Sequence, residues 1–408
     1  MYKTNKIWAV LLACIMMFLP VVTTGCDKIS NSPKLSNCGI IHETEFGGVY
    51  IKNTIDEFNA LGFEYGDSVD VKFSNGYELL DIPYYNGYYT QTGEPLLIAY
   101  PGYDYIKAAI NNGDDLWEVA DLDLAPLLSS SLAQNRELLW NDANLDGNMT
   151  ATITLAERGK YLDIQQARDI HYLDDRTKYP SDEVFANFRA LKGGNLKEDL
   201  FYRSASPCDN QHNRASYVDK LIKKAGVQFI INLADSDAKI QGYMAKDDFA
   251  SDYFATLYNK DDTDNDKVSA LALNMNFGSQ YFKEQTIKAL MAISQNEGPF
   301  LIHCTEGKDR TGFLCMLLEA FAGATYNEIV EDYMITYFNY YAITKAFDQK
   351  RYTTIVENVL DPMIKTLSTD PNVNVKTANL AELARQYLLA NGMTQTQIQA
   401  LRTAICKA

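Results

Sequence analysis

Apolar and polar positions alternate with a period of two early in the chain. Across residues 68–73, Val69, Val71 and Phe73 are apolar, while Asp70 and Lys72 are polar. That pattern predicts a half-buried strand, because successive side chains of a strand point to opposite faces. Ser74-Asn75-Gly76 supplies turn chemistry, and Tyr77-Glu78-Leu79-Leu80 resumes the run after it. Residues 95–100 are an apolar run of strand length, stopped by the turn formers Pro101-Gly102. Residues 105–110 read as a short helix or strand that ends at Asn111-Asn112-Gly113. Residues 151–155 read as a last strand. Together these runs predict a smaller, β-rich accessory domain over residues 46–179.

The texture changes near residue 180. Apolar runs at residues 227–233, 270–275 and 299–302 have strand length. Phe282, Ile287, Leu290 and Ile293 share one side of a helix over residues 281–293, and a second helix over residues 310–322 stops at Gly323. Strands alternating with helices predict an α/β domain over residues 180–408, a central sheet flanked by helices.

The start of the chain is different again. Lys3 and Lys6 precede an apolar stretch over residues 8–22, broken by Pro20. It is short for a membrane span and reads as an export signal over residues 1–25. Cys26 directly follows Gly25, which resembles the lipobox of bacterial lipoproteins, in which that cysteine is lipidated; Thr23 stands where the pattern has Leu. An ordinary secretory signal cut nearby is the alternative. Residues 26–45 read as a tether, rich at first in Ser, Asn, Pro and Lys. The resemblance implies an exported protein of the bacterial cell envelope, touching the membrane only through a lipid anchor.

Composition narrows the function classes. A chain of 408 residues suits two domains, and 47% hydrophobic residues exclude global disorder. A net charge of -16 repels nucleic acid, so no nucleic-acid partner is expected. Seven cysteines occur without a CxxC, and four histidines are scattered, so no metal site or other cofactor is expected. Asp142-Ala143-Asn144-Leu145-Asp146-Gly147 matches the first half of a calcium loop. Ile153 stands where that pattern needs Glu, so the segment reads as a polar turn.

One segment carries chemistry: His303-Cys304-Thr305-Glu306-Gly307-Lys308-Asp309-Arg310-Thr311-Gly312. A buried strand ends at His303 and a helix starts near Arg310. The loop between them can turn its N–H groups inward as an anion nest at a helix N-terminus. Cys304 starts the loop beneath that anion. Arg310 offers a planar fork for two phosphate oxygens, and Gly307 lets the backbone approach closely. The field that binds phosphate also favours a thiolate. The thiolate attacks phosphorus and leaves a cysteinyl-phosphate for water to hydrolyse. Thr311 is placed to hydrogen-bond the sulfur. Thr305, Glu306, Lys308 and Gly312 complete the expected substrate-binding loop.

The leaving group needs a proton from a carboxylic acid. Asp309 in the loop and Asp235, just after the strand at residues 227–233, are the candidates. A helix-start role is the alternative for either. Lys308 adds a second cation, suited to substrates with more than one phosphate; the alternative is a solvated lysine at the rim.

His303-Cys304, five residues, then Arg310-Thr311 resembles the signature of protein-tyrosine and dual-specificity phosphatases. The run Gly307-Lys308-Asp309-Arg310-Thr311-Gly312 resembles the bacterial branch that includes lipid-phosphatase-like members. Further likeness lies in Asn187-Phe188-Arg189, Leu200-Phe201-Tyr202-Arg203-Ser204, Glu331-Asp332-Tyr333, and Tyr387-Leu388 with Ala400-Leu401-Arg402. The resemblance implies a protein-tyrosine phosphatase acting on phosphorylated protein or a small phosphoester. Phosphoinositide or inositol-phosphate hydrolysis is one alternative, and a phosphate-binding module with lost catalysis is another. It also implies that His303 orients the loop and that Asp309 donates the proton. For Arg203 the bland expectation is a surface ion pair.

Gly66-Asp67-Ser68-Val69, Gly93-Glu94-Pro95-Leu96 and Ala108-Ala109-Ile110-Asn111-Asn112-Gly113 resemble the small C-terminal β-barrel of adenosylmethionine hydroxide adenosyltransferases. That likeness implies an adenosine-ligand or partner-binding role for the first half.

Overall fold

The computed structural model describes residues 32–44, 46–122, 149–260 and 266–407. Cys26 and residues 142–147, singled out above, lie outside the described residues.

Seven strands close on themselves in the first half. They are β1 (Lys34–His42), β2 (Val49–Thr54), β3 (Ser68–Phe73), β4 (Glu78–Tyr85), β5 (Pro95–Ile98), β6 (Tyr105–Ile110) and β7 (Thr150–Glu157). The barrel order is β1-β2-β6-β5-β4-β3-β7. The alternation in β3 sets its register: Val69, Val71 and Phe73 are buried with Val49, Ile51, Ile82 and Ile153 in the barrel core. Each such side chain contributes about 1.5–3 kcal/mol by leaving water.

β1 begins inside the stretch read as a tether. Leu35 opposes Ile153 and Gly39 opposes Thr150 across the seam with β7. Without β1, the edges of β2 and β7 would stand unpaired. Residues 105–110 form a strand, because β6 pairs antiparallel with both β2 and β5 and sends Ile106 and Ala108 into the core. Helix α1 (Leu162–Arg168) follows the barrel.

A second sheet contains β8 (Arg189–Ala190), β9 (Phe201–Ser204), β10 (Phe229–Asn232), β11 (Val268–Ala270) and β12 (Phe300–His303), in the order β11-β10-β12-β9-β8. Neighbours are parallel except for β8 against β9. Central β12 is buried at all of its residues, as expected for a strand covered on both faces. β11 lies ahead of the apolar run at residues 270–275 and shares only Ala270 with it. Ala272 takes a φ of 48°, in the left-handed region, which ends the strand.

Helices α2 (Ala215–Ala225), α3 (Gln280–Gln295), α4 (Asp309–Phe321), α5 (Tyr326–Tyr341), α6 (Gln349–Ile355), α7 (Leu380–Ala390) and α8 (Gln395–Ile405) accompany the sheet. Leu290 of α3, Leu314 of α4, Leu388 of α7 and Leu401 of α8 share one core with Phe300 and Ile302. Val218 and Ile222 of α2 pack on the other face with Ile230 and Leu301. α4 is buried from Thr311 through Phe321, mostly apolar, with Thr311 and Glu319 as its buried polar residues. Among the described residues no helix is long and apolar enough to cross a membrane.

Candidate active site

Three loops meet at one edge of the second sheet. His303 stands level with Asn232 of β10 and Ser204 of β9. The segments after β9, β10 and β12 therefore leave together from the carboxyl ends of parallel strands, where open α/β sheets place their ligands.

Cys304 follows β12 and is 3% exposed. The loop after it is pulled outward by donors from its surroundings. Ser206 N–H donates to Thr305 O at 3.1 Å. The Tyr340 hydroxyl donates to Glu306 O at 2.7 Å. Gly307 O accepts from Arg203 Nη2 at 2.9 Å and from Asn187 Nδ2 at 3.2 Å. Three consecutive carbonyls are thus held away from the loop centre. In a trans peptide the N–H points opposite to its C=O. The N–H groups of Glu306, Gly307 and Lys308 are therefore turned to the inner side, ahead of the α4 N-terminus, and that is a concave set of donors for an anion.

Gly307 is required by this path. Its φ is +69°, and a Cβ there would lie 2.2 Å from Ser204 O. No side chain fits such an approach to backbone.

Arg310 lies one residue into α4 and spans the loop. Its Nη1 donates to Leu273 O at 3.1 Å and its Nη2 to Thr305 Oγ1 at 3.3 Å. Thr311 is fully buried, and its Oγ1 has no hydrogen-bond partner, so the expected bond to the Cys304 sulfur is not made in this structure. His303 Nδ1 lies 3.2 Å from Cys304 O, while its Nε2 has no partner. Burial, with Arg310 adding, pushes His303 down to about 4 despite the bond to Cys304 O. The imidazole is therefore neutral at ordinary pH, which suits a loop-orienting part.

Lys308 is not a solvated rim lysine. Its Nζ lies 2.9 Å from Glu306 Oε2 and 3.8 Å from Asp309 Oδ2. Burial opposes the charge on Lys308, but Glu306 and Asp309 hold its pKa well above the usual lysine value. Burial likewise opposes the Glu306 carboxylate. Lys308 and the Tyr172 hydroxyl, which donates to Oε1 at 2.9 Å, outweigh it and bring Glu306 to about 2. Much of the Lys308 charge is thus already spent on carboxylates of the same loop.

The two acid candidates are in different settings. Asp309 opens α4, with Lys308 at 3.8 Å. Asp235 is 2% exposed, and both of its oxygens are engaged, Oδ2 by Asn232 Nδ2 at 3.2 Å and Oδ1 by the Tyr243 hydroxyl at 3.3 Å. The structure thus gathers residues 303–312 into one loop and leaves Asp235 bonded beneath the neighbouring strand end.

Arg203 makes no surface ion pair. It is 1% exposed and pairs through Nη1 with Asp332 Oδ2. Arg189 Nε reaches the other Asp332 oxygen at 3.0 Å. This buried Arg–Asp–Arg triad fixes the guanidinium that holds Gly307 O. Arg189 and Asp332 stand in the sequence only as parts of short likenesses, and nothing local marks Tyr172 or Tyr340 as a support of the loop. The signal was present as polar groups set within apolar surroundings: Asp332 lies between Val330 and Met334 on α5. Among the described residues no group of three acidic, histidine or cysteine side chains is placed to hold a metal ion.

Comparison with known proteins bears on the same segment. No curated protein matches. Similar solved structures include an uncharacterized conserved protein from Thermotoga maritima, 17% identical over 29% of this chain and 35% of that one, with a TM-score of 0.20. Another is the core catalytic domain of the PP-IP phosphatase SIW14 from S. cerevisiae in complex with citrate, 17% identical over 42% of this chain and 97% of that one, with a TM-score of 0.22. The chain spans about a third of the Thermotoga protein, and likenesses this slight carry no argument about activity. Residues 184–407, more than half of the chain and including every residue of the loop, match the tyrosine phosphatase family. The chain belongs to the tyrosine phosphatase family.

Proposed function

We propose that the chain hydrolyses phosphomonoesters through a cysteinyl-phosphate, with phosphotyrosine in polypeptides as its substrate. The observation that carries this reading is the set of three outward carbonyls at Thr305, Glu306 and Gly307, which leaves the following N–H groups to the inner side of the loop that begins at Cys304. These donors and the Arg310 fork hold the three non-bridging phosphate oxygens. The Cys304 sulfur attacks phosphorus, and the P–O bond to the leaving group breaks. Asp309 protonates the departing oxygen, since Asp235 has both oxygens engaged. Water then attacks phosphorus and gives its proton to the Asp309 carboxylate left by the first step, and the S–P bond breaks to free the Cys304 thiolate.

The export signal, the lipid anchor at Cys26, the envelope location and a domain division near residue 180 belong to the same proposal. They are supported by the sequence pattern. The experiment is turnover of an aryl phosphate by the chain and by Cys304→Ser. The variant loses turnover while phosphate binding, read by calorimetry, persists; undiminished turnover overturns the mechanism. Turnover of phosphotyrosine peptides beside inositol phosphates tests the substrate class, and a clear preference for the inositol phosphates overturns that part alone.

A further inference from the structure

The cation that belongs to the loop, Lys308, is paired with Glu306 at 2.9 Å. A second cation lies outside the family-matched segment. Arg168, the last residue of α1, makes no ion pair with any described residue; its guanidinium lies over the Tyr89 ring, 5.3 Å from the centroid. Tyr89 is held in place by its own loop, because Gly87 leaves room for the ring, where a Cβ would meet it at 2.5 Å.

α1 is pinned from two sides. Gln165 exchanges hydrogen bonds with Asn86 of the barrel at 2.7 and 3.3 Å. Asp163 pairs with Lys350 at 2.6 Å, and Gln166 O accepts from Arg351 at 3.1 Å, both on α6. Four residues after Arg168 the chain reaches Tyr172, which touches Glu306 of the loop and stacks on Tyr340 at 5.0 Å. Four residues span at most about 14 Å, and the Tyr337 phenol of α5 feels both Arg168 and Lys308, which sets Arg168 in the neighbourhood of the loop. The Tyr89 phenol is pushed up to about 12 by burial and Asp169, against the pull of both Arg168 and Lys308, so one ring feels both cations. The neighbouring carboxylate, Asp169, is bonded to His171 at 3.1 Å.

Tyr88, next to Tyr89 in the chain, starts a row of aromatic side chains on the barrel. Tyr88 and Tyr100 are 38% and 45% exposed and 6.2 Å apart, and Tyr103 follows 5.5 Å from Tyr100. Such a row suits an extended chain more than a compact small molecule. We propose that Arg168 is a specificity-determining residue of this phosphatase, recognising a carboxylate beside the phosphotyrosine of a polypeptide substrate. The proposal rests on the phosphotyrosine reading above and adds a preference for acidic flanks.

The test uses the full chain and three phosphotyrosine peptides that differ only in Asp, Asn or Lys flanks. A charge-assisted arginine contact predicts a kcat/KM preference for the Asp peptide of roughly tenfold. Arg168→Ala brings the ratio to about one, and Arg168→Glu inverts it when Lys flanks are offered. A ratio unchanged in the variants, or no preference in the parent chain, overturns the proposal. A merely structural part for Arg168 would lower both peptides together and leave the ratio alone. The same ratio read as binding to Cys304→Ser protein keeps the two readings separate. Absent turnover of every aryl phosphate sinks the hydrolytic reading, while the binding ratio still judges Arg168.

Discussion

Removing Asp332 strands two guanidinium groups inside the protein. Arg203 is buried on β9, and Arg189 joins it through the same carboxylate, at 3.0 Å. Breaking a buried ion pair by deleting one partner costs about 3–5 kcal/mol, because the remaining charge stays out of water. One nearby group can offset part of this. Burial pushes Glu319 well above the usual carboxylate range, with Asp332 adding to the shift and Arg203 opposing it. Once Asp332 is gone, Glu319 can ionise beside Arg203. The double variant Asp332→Ala/Glu319→Gln therefore measures the stranded charge more cleanly and should lose the full amount.

Tryptophan fluorescence is a poor readout, since Trp8, Trp117 and Trp140 all lie in the first half of the chain. Hydrogen exchange of β9 and β12 peptides across a urea series reads the second sheet directly. A loss under about 1 kcal/mol, the range of exposed pairs, would refute the reasoning. A triple variant, Arg189→Met, Arg203→Met, Asp332→Leu, separates stability from positioning. It should recover most of the stability. Turnover should stay low, because Gly307 O has lost its Arg203 donor at 2.9 Å. Full activity in that variant would show that the triad does not hold the loop.

Other predictions follow from the same geometry. Gly307→Ala meets Ser204 O at 2.2 Å and a positive φ; the loop must shift, and aryl-phosphate turnover should fall about a hundredfold or more, the worth of one lost oxyanion donor. Tyr172→Phe removes the hydrogen bond to the Glu306 carboxylate and should cost about 1.5–3 kcal/mol, with kcat lowered; unchanged stability and rate would count against Tyr172 as a support of the loop. His303 is held at about 4, below its ordinary 6.5, so the native state binds fewer protons than the unfolded chain between those values. Its contribution, about 3 kcal/mol, is complete above pH 6.5 and lost as pH falls toward 4; His303→Asn should flatten urea midpoints across that window. Glu306, lowered from 4.5 to about 2, contributes above pH 4.5 and loses this contribution between 4.5 and about 2, which Glu306→Gln should remove.

How far the sequence could be read depended on whether a feature was local. The loop from His303 to Gly312 was legible because its chemistry sits in consecutive residues. The period-two runs gave β3 and β7 because one face of each meets a core. β1 was not legible: its second half, Gly39-Ile40-Ile41-His42, lacks alternation, and only pairing across the barrel seam makes it a strand. The end of β11 was hidden in the same way, since nothing apolar about Leu271-Ala272-Leu273 announces a positive φ at Ala272. The donors that shape the loop come from residues 34 to 134 positions away, among them Tyr340 and Tyr172, so spacing alone could not assemble them.

The central claim is that Cys304 carries the phosphoryl group. Rapid acid quench during turnover of an aryl phosphate, followed by peptide mass spectrometry, tests it most directly. The account predicts a phosphate adduct on the peptide containing Cys304, accumulating further in Asp309→Asn when a good leaving group removes the need for protonation and the second step is slowed. Steady turnover with no adduct on Cys304 at any quench time, and retained in Cys304→Ser, would contradict it.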